Sequence, residues 1–116
     1  MNDEAKTIEE GKDIICEFYV AGVQFHELST CLKEMEVGEP LILTLEPDNR
    51  FDPNAVRIER GDTMLGYVPQ RKGDLSAKVS AMMSVKNLYC EVLEVNPELK
   101  TWEQLKVRIY SLDEGN

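Results

Sequence analysis

Short apolar runs separated by polar turns make up most of the chain, and this pattern predicts strands more often than helices. The first run is rich in β-branched and aromatic residues, and the last two alternate roughly between apolar and polar, as expected for strands that pair with each other. The predicted strands are residues 14–23, 41–46, 55–59, 63–68, 84–95 and 102–112.

Two further segments have apolar residues spaced four and three apart, which is typical of short amphipathic helices. They are Leu28, Leu32 and Met35 in the first segment and Leu75, Val79 and Met82 in the second. Asp74 directly precedes the second segment, so we predict that it caps that helix. About six strands with two short helices predict a mainly β fold, a small OB-like or SH3-like β-barrel that closes to protect its edges.

A polar turn cluster, residues 46–56, interrupts the apolar pattern between the second and third strands. Pro47 and Pro53 restrict the backbone on either side of them, and Asn49, Asp52 and Asn54 have side chains that can accept hydrogen bonds from nearby backbone N–H groups. A tight hairpin needs only about two residues, so this longer connection is the first indication of a site.

The pattern Glu-Pro-x-Asn-x-Phe-Asp-x-Asn-Ala-Val over residues 46–56, followed by Leu-Gly-Tyr-Val-Pro over 65–69, resembles the HIRAN domain. Together with Val-Ala-Gly-Val-Gln-Phe over 20–25, the resemblance covers roughly residues 15–83. HIRAN domains occur fused to Swi/Snf-class fork-remodelling ATPases and as stand-alone bacterial proteins. The resemblance implies an OB-like barrel that, in the fork remodellers, captures the 3′ end of single-stranded DNA.

The resemblance also implies which side chains form the nucleic-acid site. Asn49, Phe51 and Asp52 match the turn residues of the family's pocket, with Phe51 as a stacking or wall residue and Asp52 as acceptor for a 3′ hydroxyl. Phe25 and Tyr67 fall where the remodellers carry aromatic residues.

Two positions depart from the remodellers' pattern. Gln24 stands where they have an arginine, and Gln70 stands where they have a lysine. The loss of two phosphate contacts predicts weaker binding with a shallower dependence on salt. Candidates to replace these contacts from adjacent positions are Arg50, Arg71, Lys72 and Lys78.

Without the resemblance, the same residue types have structural interpretations. Phe25 and Phe51 would be packing residues, because buried aromatic rings supply much of the core in a domain this small. Asn49 and Asp52 would be turn residues that bond to their own backbone, and Tyr67 fits a barrel wall as well as a pocket rim.

The length of 116 residues suits one domain, which we place at residues 13–113 after a flexible acidic arm at 1–12. No apolar run approaches a membrane span and the acidic start lacks signal-peptide features, so we predict a cytoplasmic protein without membrane contact. Three distant cysteines and one histidine give no metal-ligand spacing, and we expect reduced, mostly buried thiols.

The net charge of −9, from 22 acidic and 13 basic residues, argues against strong non-specific DNA binding. No catalytic or cofactor motif is present, so we expect neither an enzyme nor a cofactor. The predicted function is a non-catalytic module that captures single-stranded DNA 3′ ends in repair or replication. The alternative is a protein-interaction module with an acidic surface that has lost DNA binding.

Overall fold

The computed structural model describes residues 11–23, 27–70 and 74–112. In these ranges, six antiparallel strands form one sheet in the order β1-β6-β5-β2-β3-β4, and two helices pack beside it. The strands are β1 (Lys12–Tyr19), β2 (Pro40–Leu45), β3 (Val56–Arg60), β4 (Thr63–Tyr67), β5 (Tyr89–Val95) and β6 (Leu105–Leu112). The helices are α1 (Leu28–Cys31) and α2 (Leu75–Met83), and 3-10 turns lie at Leu32–Glu34 and Thr101–Glu103. The prediction of a mainly β fold with about six strands and two short helices is confirmed.

The core lies on one face of the sheet, as the alternation in β6 shows. Leu105, Val107 and Ile109 are at most 1% exposed, whereas the residues between them are only half-buried. Successive side chains of a strand point to opposite faces, so this pattern buries one face and leaves the other to solvent. Phe18 of β1 and Val92 of β5 pack into the same cluster, which joins the three strands through one hydrophobic core.

The two outer strands of the sheet, β1 and β4, are brought together by one residue pair rather than by a continuous ladder. Ala21, two residues beyond β1, donates a backbone hydrogen bond to Tyr67 of β4 at 2.9 Å and accepts one from it at 2.8 Å. The sheet is therefore OB-like but not closed into a barrel by strand pairing along its full length. At this crossing, a Cβ on Gly66 would overlap the carbonyl oxygen of Ala21 and lie 2.7 Å from Val20 Cγ1.

The ends of several elements differ from the sequence prediction for local reasons. β1 ends at Tyr19, and the extended backbone does not continue to residue 23 because Gly22 adopts a left-handed φ of 71°. β5 begins at Tyr89 rather than at 84, since hydrogen bonds from Val85 and Lys86 to Met82 continue the turn after α2.

Asp74 occupies the position before α2, but the predicted side-chain cap is wrong. Its φ of 59° and ψ of 45° are left-handed, and its side chain makes no capping hydrogen bond. A capping carboxylate reaches the first N–H groups of a helix from an extended backbone, and the left-handed conformation directs it elsewhere.

The cysteines lie mostly inside the molecule, as expected. All three are free thiols; Cys31 and Cys90 are buried, and Cys16 is half-buried. Burial raises the pKa of Cys16 to about 11, with a smaller contribution from the neighbouring Glu17. Within the part of the chain that the structure describes, no helix has the length and apolarity needed to cross a membrane.

The close crossing at Gly66 generates a prediction about stability. Gly66→Ala should lower the free energy of unfolding by about 3 kcal/mol, because the new Cβ meets backbone that cannot move without breaking the Ala21–Tyr67 bridge. Urea denaturation of the purified variant measures this change. Gly61→Asn is the control: no atom lies within 4 Å of a Cβ there, and asparagine tolerates its φ of 58°. Equal midpoints for Gly66→Ala and the unmodified chain would contradict the argument.

Candidate functional site

Asn49 organises the turn cluster through its side-chain amide. Its Oδ1 accepts hydrogen bonds from the backbone N–H groups of Phe51 at 2.9 Å and Asp52 at 3.0 Å. Its own backbone N–H donates to the Glu46 carbonyl at 3.0 Å. The sequence interpretation of Asn49 as a self-bonding turn residue is confirmed, and the consequence is a fixed backbone beneath Phe51.

Asp52 joins this turn to helix α2. One carboxylate oxygen, Oδ1, accepts from the Asn54 backbone N–H at 2.9 Å, and Oδ2 accepts from the Ser76 hydroxyl at 2.9 Å. Ser76 lies in the first turn of α2 and is 1% exposed, so its hydroxyl binds the Asp52 carboxylate from the buried side. A carboxylate has about four acceptor positions, which leaves Asp52 able to accept a further donor from a ligand.

Phe51 projects into solvent from this ordered backbone. Its side chain is 90% exposed, the highest value among the large hydrophobic residues of the described ranges. The packing interpretation of this ring is therefore wrong. An exposed phenyl ring on a hydrogen-bonded turn presents a flat apolar face to solvent, which is the geometry of a stacking platform.

Glu46, at the start of the turn cluster, accepts three hydrogen bonds. Its Oε1 accepts from Asn49 Nδ2 at 2.9 Å and from the Tyr67 hydroxyl at 2.9 Å, and its Oε2 accepts from the Arg57 guanidinium at 3.0 Å. Burial raises the pKa of Glu46, but the hydrogen bonds from Asn49, Tyr67 and Arg57 lower it by more, so the carboxyl titrates below its usual range. Burial and the bond to this carboxylate both raise the pKa of Tyr67.

A cavity of about 760 Å³ opens between the turn cluster and the crossing of β4 with the chain after β1. Its walls are mostly apolar. The lining residues are Ala21, Gly22, Asn49, Phe51, Asp52, Ala55, Tyr67, Val68 and Gln70. A volume in this range accommodates a small organic ligand.

Five of the seven predicted site residues line this one cavity, and the remaining two, Gln24 and Phe25, lie outside the described residues. Four lining residues were not selected from the sequence, and all four lie inside the motifs that carry the family resemblance. They are Ala21, Gly22, Ala55 and Val68. Their position inside those motifs is the feature of the sequence that could have identified them as site residues. Ser76 carried no sequence signal, because its contact to Asp52 spans 24 positions.

The turn cluster and α2 carry charged side chains of both signs. Among the described residues of the lining, only Asp52 is charged. Arg50 is exposed on the same turn, and in the described ranges no carboxylate lies within ion-pair distance of it. Lys78 is exposed on α2, whereas Arg71 and Lys72 lie outside the described residues. No group of three or more metal-ligating side chains occurs in the described ranges.

The chain is a small β-rich domain with a ligand-sized pocket. The sheet is open, and the cavity is mostly apolar with an exposed ring at its mouth. A family model, the HIRAN domain, matches residues 15–111. The chain belongs to the HIRAN domain family, which confirms the resemblance drawn from residues 46–56 and 65–69.

Three known proteins are similar to this chain. A Fanconi-associated nuclease 1 homolog of Arabidopsis thaliana is 26% identical over 104 residues, which are 89% of this chain and 11% of that protein. A solved structure of a protein from Lactobacillus plantarum has a TM-score of 0.71 at 20% identity, covering 89% of this chain and 97% of that one. The HIRAN domain of human HLTF has a TM-score of 0.57 at 14% identity, covering 91% and 84%. The two structures share the fold, and the chain spans about a ninth of the length of the nuclease homolog.

Asn49→Ala should destabilise the protein by about 1–2 kcal/mol, because it removes the acceptor of two backbone N–H groups and one donor to Glu46. Thermal denaturation measures the effect. Asn54→Ala in the same turn is the matched control, since the Asn54 side chain makes no hydrogen bond within the described ranges, and its change should stay within about 0.5 kcal/mol. Equal losses in both variants would show that the Asn49 amide does not order the turn.

Proposed function

We propose that this chain is a non-catalytic module that binds single-stranded nucleic acid and captures its 3′ end in the cavity beside the turn cluster. The observation that carries the proposal is Phe51, a ring 90% exposed at the mouth of a mostly apolar cavity and held on a turn that is already ordered. Nucleobases stack on such rings with a contribution of about 1–3 kcal/mol per base.

Several lining residues have roles that fit a terminal nucleotide. The base stacks on Phe51, and the sugar lies against the apolar wall that includes Val68. Asp52 accepts a hydrogen bond from the terminal 3′ hydroxyl, with its carboxylate held by Ser76 from behind. Asn49 holds the turn, and Tyr67 and Gln70 border the cavity. The predicted roles of Gln24 and Phe25 in the same site stay part of the proposal.

Family membership supports this ligand class, because HIRAN domains of fork remodellers capture 3′ ends of single-stranded DNA. The similar Arabidopsis protein is a nuclease homolog, which places a related segment in a protein named for action on nucleic acid. Because this chain corresponds to only 11% of that protein, we do not assign it the nuclease activity. We propose a role in repair or replication, beside a partner enzyme, and a cytoplasmic location stays a prediction.

The charge distribution predicts weak, end-directed binding rather than tight binding along a strand. The net charge is −9, and Arg50 and Lys78 are exposed cations on the turn cluster and on α2, the two elements that the Asp52–Ser76 hydrogen bond joins. On single strands each neutralised phosphate contributes about −0.7 to the slope of log affinity against log salt concentration. One or two phosphate contacts would therefore give a shallow salt dependence.

The second candidate is a protein-interaction module, favoured by the acidic total charge and by Asp52 in the cavity wall. A basic segment of a partner would be attracted to such a surface. This alternative predicts no oligonucleotide binding even at low salt, which separates it from end capture.

Fluorescence anisotropy with short single-stranded oligonucleotides at low and moderate salt tests the proposal. We expect the unmodified chain to bind a 3′-hydroxyl end at least about fivefold more tightly than a 3′-phosphate end, because the Asp52 carboxylate accepts a hydrogen bond from the hydroxyl and repels phosphate. Equal affinity for both ends would overturn end capture. No binding of either oligonucleotide would overturn nucleic-acid binding and favour the protein partner.

Phe51→Ala should weaken binding of the 3′-hydroxyl oligonucleotide by at least about fivefold without changing the unfolding midpoint, since the ring stacks on the ligand and contributes little to the core. Anisotropy and thermal denaturation measure the two effects. Trp102→Ala is the matched control, because Trp102 is another exposed aromatic residue, at 60%, and does not line the cavity. A similar loss in both variants would remove Phe51 from the site.

A further inference from the structure

Glu46 contacts the cavity only through other residues. It is not part of the lining, but Asn49 and Tyr67, which are, both donate to its Oε1. The carboxylate is 20% exposed and lies where the turn cluster meets β3 and β4. Glu46 can therefore affect a ligand only indirectly, through its charge and through its hydrogen bonds to Asn49 and Tyr67.

The bonds to Glu46 fix the direction of two donors. A carboxylate only accepts hydrogen bonds, so the Tyr67 hydroxyl proton and one Asn49 amide proton are directed toward Glu46. A glutamine in this position would break the arrangement in either orientation of its amide. If the glutamine NH₂ occupies the Oε1 position, it is a donor that faces the donors of Asn49 and Tyr67. If it occupies the Oε2 position, it is a donor that faces the Arg57 guanidinium.

The local charge behind the wall is negative. Arg57 is shared between Glu46, at 3.0 Å, and Glu59, at 3.4 Å, so two carboxylates face one guanidinium. Asp52 adds a third carboxylate in the lining itself. These carboxylates repel a terminal phosphate that enters the cavity, whereas a terminal hydroxyl can donate a hydrogen bond to a carboxylate oxygen.

We propose that Glu46 is a positioning residue that sets the ligand specificity of the cavity: by holding the donors of Tyr67 and Asn49 and placing its charge behind them, it makes the site select hydroxyl-terminated strands over phosphate-terminated ones. This role rests on the proposed function. Glu46 acts through Asn49 and Tyr67 and does not itself touch the ligand.

The first test measures the ratio of affinities for 3′-hydroxyl and 3′-phosphate oligonucleotides in Glu46→Gln. We expect this ratio to fall by about fivefold, the size of one hydrogen-bond contribution, because donors that no longer face a carboxylate can turn toward phosphate oxygens. A merely structural defect would weaken both ligands alike and leave the ratio unchanged. Glu59→Gln is the matched control: it also removes a carboxylate beside Arg57, but Glu59 bonds to Thr44 instead of Asn49 or Tyr67.

The second test needs no ligand. Burial raises the pKa of Tyr67 first, and the hydrogen bond and charge of Glu46 raise it further. Glu46→Gln should therefore move one tyrosine titration, followed by ultraviolet absorbance, to lower pH, while Glu59→Gln leaves it in place. The affected titration is assigned to Tyr67 by its loss in Tyr67→Phe.

The outcomes separate the two proposals. An unmodified chain that binds the 3′-hydroxyl oligonucleotide, with the same affinity ratio in Glu46→Gln, overturns the role of Glu46 alone. The same change of ratio in Glu59→Gln also overturns it, because net charge would then suffice. If the unmodified chain binds neither oligonucleotide, the proposed function fails and the specificity role fails with it. An unmoved Tyr67 titration contradicts the arrangement of hydrogen bonds on which the role depends.

Discussion

Two backbone hydrogen bonds between Ala21 and Tyr67 are the constraint on which the rest of the molecule depends. They bring opposite edges of a six-stranded sheet together, and Gly66 permits the approach because it has no Cβ. The cavity lies at this crossing, with Ala21 and Gly22 on one side and Tyr67 on the other. Loss of the crossing would therefore separate two walls of the candidate site as well as two edges of the sheet.

The turn cluster adds the third wall, and its order comes from short-range polar contacts. Asn49 and Asp52 bind backbone N–H groups two or three positions away, and Ser76 anchors Asp52 to α2. Hydrogen bonds of this kind stabilise a connection that has no strand partner. One side of the site is therefore positioned by the pairing of distant strands, and the other side is positioned by hydrogen bonds within the turn cluster.

The sequence predicted the features that depend on neighbours along the chain and missed those that depend on distant ones. The alternation of Leu105, Val107 and Ile109 and the turn-forming role of Asn49 are local, and both were read correctly. The single-pair crossing at Tyr67 and the Ser76–Asp52 bond arise from tertiary packing, which residue patterns do not encode. The exposure of Phe51 depends on tertiary structure too: its residue type alone was compatible with the core, and only the family resemblance indicated a stacking or wall position.

The exposure of Phe51 has a thermodynamic consequence. In the free protein its ring is hydrated, while the backbone beneath it is already held by Asn49. A ligand that covers the ring releases that hydration without first having to order the turn, so association loses little conformational entropy on the protein side. Burial of the ring would also make the heat capacity change of binding negative, a signature of apolar contact that a purely ionic association lacks.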